Sequence, residues 1–228
     1  MSNINERVGS AAKWSIFTEI IVKIISPITN MILARILVPE EFGVVATVTM
    51  IVSFADIFTD AGFQKYVVQH QFKTKEDEDL SINVAFWTNI SISLLLWLLI
   101  FLFAEQIATV VGNPGMGKVI YIGAAILPMT SFSSIQAAIF RKNLNYKELS
   151  FIRIIVKFIP LVVTVPLALM KFSYWALIIG NIAGELCNTL LLTYFSTWKP
   201  HLIYRFDTGN VTFLYVELDG NNLFMASY

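Results

Sequence analysis

Apolar residues fill this chain in six long blocks, and polar positions inside those blocks fall in narrow stripes. From Leu80 to Ala104 there is no charged residue, nor is there one from Val119 to Phe140. Between Lys171 and Lys199 the only charge is Glu185. A bilayer core about 30 Å thick needs about 20 helical residues to cross it. Soluble helices of that length carry a broad polar face, which these blocks lack. The pattern predicts an all-α, polytopic membrane protein with one six-helix transmembrane bundle.

The predicted helices run over Trp14–Leu37, Phe42–Val67, Ile82–Phe103, Val119–Phe140, Leu149–Met170 and Phe172–Trp198. Residues 1–13 precede the bundle, which occupies 14–198. Helix one ends before Val38-Pro39, where proline disfavours further helix. Pro27, Pro128, Pro160 and Pro166 fall inside spans, where they kink rather than stop a helix. His201–Tyr228 has no apolar run of 18 residues, so no seventh span is expected. Residues 199–228 are expected to be a poorly ordered tail, although Val211–Asp219 alternates weakly before the turn signal Asp219-Gly220.

The stripes carry the candidate chemistry, because charge inside a membrane is costly and marks function by default. Helix one holds Ser15, Glu19, Lys23, Ser26 and Asn30 within roughly 80° of arc. Helix two holds Thr49, Ser53, Asp56, Asp60 and Gln64, with Asp60 toward the cytoplasmic end, and helix six holds Asn181, Glu185 and Asn188. Lys157 adds a charge to helix five. Each stripe has a plain alternative as interhelical glue, with Glu19 and Lys23 simply paired at i, i+4. Together the stripes point to a shared hydrated cavity built from Glu19, Lys23, Asn30, Asp56, Asp60, Lys157 and Glu185.

Lysine and arginine set the orientation. With the N-terminus inside, 11 of the 16 basic residues fall on inner segments, 3 on outer loops (Arg35, Lys118 and Lys171) and 2 within spans. Both ends are therefore expected in the cytoplasm. Charged residues make up 14% of the chain, against about 25% in a soluble domain. The net charge is zero, which gives no sign of a nucleic-acid partner. Cys187 is the single cysteine. His70 and His201 are isolated, and no metal-ligand spacing, nucleophile elbow or cofactor motif appears, so no enzyme activity is expected. Gly112–Lys118 fits the GxxxxGK phosphate loop, but Val119 stands where Ser or Thr would hold magnesium. A turn is the better account. Lys73–Asp79 is expected to be a solvated inner face.

Ala34–Gly43 (ARILVPEEFG) resembles the ARxLxPxxFG signature between the first two helices of polysaccharide transporters, flippases of the multidrug/oligosaccharidyl-lipid/polysaccharide exporter superfamily. The matching positions include Arg35, Pro39, Phe42 and Gly43; Phe58–Gly62 and Gln64 are similar to the family's helix-two ending, and Phe140–Tyr146 to its second cytoplasmic loop. The resemblance implies a bacterial inner-membrane exporter of undecaprenyl-diphosphate-linked oligosaccharide for surface polysaccharide, working without ATP, with Lys23 attracting the diphosphate. Members carry two bundles of about six helices, related as parallel repeats. One bundle implies an N-terminal half, completed by a second six-helix half or a homodimer, and expected to be a truncated or rearranged product. The alternative is a non-transporting scaffold of a polysaccharide-assembly complex, or an inert fragment.

Overall fold

The computed structural model describes residues 2–60, 62–72, 74–201, 215–219 and 222–226. Nine helices appear among them: α1 (Ser2–Leu33), α2 (Pro39–Asp60), α3 (Phe63–Gln69), α4 (Lys75–Leu102), α5 (Ala104–Val110), α6 (Gly117–Gly123), α7 (Ile126–Lys142), α8 (Tyr146–Leu169) and α9 (Tyr174–Phe195). Six segments are long and apolar enough to cross a membrane: Ala12–Leu33, Pro39–Thr59, Lys75–Leu102, Gly117–Lys142, Tyr146–Leu169 and Tyr174–Phe195. The all-α, six-span class holds, but the first helix runs Ser2–Leu33 rather than Trp14–Leu37, its end turning before the Val38-Pro39 step, and the helix limits change in three further places.

The second span stops at Asp60 rather than Val67. Gly62 follows in the left-handed conformation at φ 86°, which a side chain resists, and the short α3 begins there. Gln64 therefore belongs to α3. The third span begins at Lys75, not Ile82. Thr74 caps it by accepting from the Asp77 amide at 3.1 Å, and Glu76, Asp77 and Glu78 complement the positive helix end. The fourth span is two helices, α6 and α7, that meet near Ala124-Ala125. Pro128 lacks the N–H that would bond the Ala124 carbonyl, and that carbonyl accepts from Leu127 instead, at 2.9 Å. Pro27, Pro160 and Pro166 sit within unbroken helices.

The turn between α1 and α2 is built by its own sequence. Pro39 takes the first helical position, where its missing N–H costs nothing. Glu41 reaches back to accept from the Val38 amide at 2.9 Å, the returning arm of a capping box. Leu33 and Leu37 are buried with Ala168 and Ala176, and Phe42 packs beside them. The signature-like stretch thus ties α1 and α2 to the adjoining ends of α8 and α9.

The core is a chain of helix pairs. α8 lies along α9, α1 leans on α8, and α7 bridges α4 and α9. α8 and α9 come close because Gly180 and Gly184 face Thr164 and Pro160. A Cβ on Gly180 would fall on Thr164 Oγ1, and one on Gly184 would sit 3.1 Å from Pro160 Cγ. α1 is the least enclosed of the six spans. Polar bonds between helices are buried in the middle: Asn89 Nδ2 donates to Ser134 Oγ at 3.0 Å, and Thr193 Oγ1 to Gln136 Oε1 at 3.2 Å. Asn89 and Gln136 are buried.

One end of the bundle is clasped by the chain leaving α9. Trp198 packs its ring on Phe86 and donates from Nε1 to Asp79 at 2.7 Å. The His201 amide donates to Asn83 Oδ1 at 2.8 Å, and Trp87 Nε1 donates to the His201 carbonyl at 3.2 Å. Lys142 pairs with Glu78 and lies 4.1 Å over the Phe72 ring. The Lys75–Asp79 stretch is thus partly engaged, not a bare solvated face. At the other end, Glu105 accepts from the amides of Gly115 and Gly117 at 2.6 and 3.2 Å. The phosphate-loop lookalike holds a carboxylate of its own chain, as a turn does. Farther along, β1 (Tyr215–Asp219) and β2 (Asn222–Ala226) pair antiparallel, Asp219 opposite Asn222. The order expected of the tail falls largely outside the described residues.

Candidate functional site

The polar stripes resolve into two faces. The first lies between α2, α7 and α9. Asn181 and Glu185 each follow a glycine of the close α8 contact by one residue, so helical geometry turns them about 100° away from it. There they line a cleft of about 240 Å³ with Thr49, Val45, Val48 and Val52 of α2 and Ile126 of α7. Ser133 Oγ and Asn188 Nδ2 both donate to Glu185 Oε1, at 2.8 and 3.1 Å. Asn188 also donates to Ser133 Oγ at 3.3 Å. Asp56 of α2 is near enough for its charge to interact with that of Glu185. Thr59 Oγ1 donates to Asp56 Oδ1 at 3.0 Å. Neither carboxylate has a basic partner among the described residues.

The second face lies along α1 and α8. Glu19 is not the partner of Lys23. It meets Arg153 of α8, whose Nη1 lies 3.4 Å from Glu19 Oε1, with both side chains nearly half exposed. Ser150 Oγ donates to the Trp14 carbonyl nearby at 3.3 Å, which fixes the height of α1 against α8. Lys23, Asn30 and Lys157 are exposed.

The structure thus joins the stripes of helices two and six through Asp56, Thr49, Asn181 and Glu185, and joins helix one to helix five through Glu19. The side chain of Asp60 lies outside the described residues. Arg153 is not among the residues that the sequence pattern assigns to the cavity, because that pattern places it with the inner basic residues. α8 starts at Tyr146, so Arg153 stands about 10 Å into the helix. Its i, i+4 spacing from Lys157 was the available signal.

Among the positions that resemble the transporter signature, Arg35 is exposed beside an apolar groove of about 420 Å³ lined by Ile28, Met31, Ile32 and Ile36. Gly43 has open space where a Cβ would stand. Gln64 Oε1 accepts from Arg141 Nη1 at 3.0 Å, which ties α3 to α7. No group of three His, Cys, Asp or Glu side chains suited to a metal occurs among the described residues.

The chain is 28% identical over 191 residues to the succinoglycan biosynthesis transport protein ExoT of Rhizobium meliloti (strain 1021), covering 84% of this chain and 38% of that protein. It is 24% identical over 203 residues to the lipopolysaccharide biosynthesis protein WzxC of Escherichia coli (strain K12), covering 89% of this chain and 40% of that one. A membrane protein in the cps region of Klebsiella pneumoniae is 21% identical over 215 residues, with 92% and 44% coverage. The chain spans about two fifths of the length of these relatives. No solved structure matches it. Residues 32–219 match the model of a family described as polysaccharide biosynthesis proteins, which takes in most of the bundle, and the chain belongs to that family.

Proposed function

We propose that this chain forms the first six-helix half of an exporter that carries lipid-linked oligosaccharide repeat units across the bacterial inner membrane for surface polysaccharide. The observation that carries the proposal is the pair of charged faces set into membrane-length helices of a chain with this family membership. Charge kept there at a cost of several kcal/mol supports a wet path. Lys23, Arg153 and Lys157 supply attraction for a diphosphate and acidic sugars, while Asn181, Asn188 and Thr49 suit hydroxyl-rich sugars. α1 and α2 expose Ile20, Ile24, Met31, Met50, Phe54 and Ile57, and a second bundle, from another half or a second copy, would cover such faces. With Arg153 moved into the span, a bias of 10 basic residues to 3 still supports an arrangement with both ends in the cytoplasm.

Export of repeat units in a strain lacking its own flippase tests the proposal. The chain alone is expected to leave surface polysaccharide absent, because alternating access needs a second bundle to rock against. The chain joined to the second half of a relative such as WzxC is expected to restore it. A joined protein of normal abundance that restores nothing refutes the exporter role and favours the non-transporting scaffold.

A further inference from the structure

One groove of the bundle is charged at its mouth and apolar along the rest. Its volume is about 250 Å³, and α1, α8 and α9 all line it. The three helices bring matching ends to it. Trp14 stands near the start of the first span, Lys147 and Glu148 in the first turn of the fifth, and Phe195 at the close of the sixth. Odd spans start, and even spans end, on the same side of a bilayer, so the mouth lies at one membrane surface. Under the arrangement proposed above, that surface is the inner one. The floor is α8 itself. Phe151 and Ile154 follow Lys147 at steps of four and three residues on one flank, and the helix advances about 10 Å from Lys147 to Ile154. Ile152, also in the lining, is 1% exposed and clusters with Phe140 and Leu192, which makes the floor rigid. The groove therefore follows the helix axis, with charge at the membrane surface and apolar side chains below. A phospholipid has the same polarity, headgroup outward and acyl chain inward. Trp14 adds an amphipathic ring of the kind that settles at headgroup depth.

The rim narrows the choice of lipid. Lys147 and Glu148 are both exposed, and neither is in an ion pair among the described residues. Adjacent residues on a helix point about 100° apart, so the two charges flank the mouth instead of neutralising each other. A rim of cations alone would suit an anionic head. A cation beside a carboxylate suits a head that carries both signs. A primary ammonium also offers the carboxylate N–H donors, which a quaternary one lacks. We propose that this groove binds a zwitterionic aminophospholipid, with one acyl chain along Phe151, Ile154 and Phe195, the phosphate on Lys147 and the ammonium on Glu148. No covalent bond changes. The lipid fills the seam where α1, the least enclosed span, leans on α8, and so braces the first span. A diphosphate carrier would meet Glu148 as a like charge. The site is therefore separate from the path of an exported substrate, and it does not rest on the exporter role.

The test uses the whole chain in detergent, with dioleoyl phosphatidylethanolamine as probe and the matched phosphatidylglycerol and phosphatidylcholine as controls. Native mass spectrometry counts the lipid that stays bound, and thermal unfolding reads the bracing. Wild type is expected to bind the ethanolamine lipid about two- to fivefold more tightly than either control, the scale of one exposed ion pair. It should also unfold at a higher temperature with that lipid present. Glu148→Gln, at an exposed position that leaves the packing intact, should bring the ethanolamine and choline lipids level. Lys147→Gln should weaken all three. Ile154→Trp, which fills the groove, should remove both the preference and the stabilisation. Equal retention of the three lipids by wild type means annular contact only and overturns the proposal. A preference for the glycerol lipid overturns it in favour of an anionic-lipid site. An ethanolamine preference that survives in Glu148→Gln, or in monodisperse Ile154→Trp, puts the lipid elsewhere and overturns it as well.

Discussion

Gly180→Ala is the sharpest test of how this bundle is held together. α8 and α9 approach most closely where Gly180 faces Thr164, and an added methyl falls on Thr164 Oγ1 with Thr164 Cβ 3.2 Å away. Thr164 is 1% exposed, so its side chain has nowhere to swing. Backbone separation or a strained rotamer must follow, at about 1–3 kcal/mol. For a chain of this size that is a fall in Tm from about 2 °C to about 10 °C. Gly184→Ala serves as the milder neighbour, since its methyl meets Pro160 Cγ at 3.1 Å, and it should cost about 1 kcal/mol or less. Thr164→Ala alone leaves a small void and costs about 1 kcal/mol. Combined with Gly180→Ala it removes the obstructing oxygen, so the double variant should be more stable than the summed singles by about 1 kcal/mol or more. Thermal unfolding in detergent, followed by the helical circular dichroism signal, reads all four proteins. Additive losses, or a Gly180→Ala variant as stable as wild type, would refute the close glycine contact.

Cysteine labelling in a Cys187→Ser background should find residues 113–117 reactive from outside intact cells, and labelling only after permeabilisation would reverse the orientation. Trp198→Phe keeps the ring against Phe86 but loses the bond to Asp79, about 1.5–3 kcal/mol for a charged acceptor. Protease access near residue 201 should rise in that variant, and an unchanged cleavage rate would contradict the clasp. In an export-competent joined protein, Lys23→Arg should retain more transport than Lys23→Gln at equal abundance, and equal transport by the two would remove Lys23 from the path.

Six apolar blocks were enough to place six spans, since bilayer thickness leaves little choice of length. The finer divisions depended on signals that periodicity does not carry. The stripe Asp56, Asp60, Gln64 keeps helical spacing across Gly62, and the left-handed backbone of Gly62 marks where α3 begins apart from α2. The charges of Lys75–Asp79 read as a loop, yet three acids behind Thr74 begin a helix well. For the candidate site, spacing placed Asp56 and Glu185 on stripes but could not say that α2 and α9 are neighbours. Glu19 looked paired with Lys23 because i, i+4 is the local option. Its partner, Arg153, is supplied by the packing of α1 on α8. The clasp by Trp198 and His201 joins residues more than 110 positions apart and leaves no local trace.

Separation along the chain also sets a clock on how the protein is made. Glu19 and Arg153 are 134 residues apart, and α8, the helix that α1 leans on, is the fifth span to emerge. At about 5–20 residues per second, roughly 7–27 s pass between synthesis of the two. Throughout that interval the first span has neither its ion-pair partner nor its packing surface. The insertion machinery must shelter Glu19 and Lys23, or lipid headgroups must receive them, until the fifth span arrives. The charge on the first helix must therefore be tolerated during synthesis, before the bundle that holds it exists.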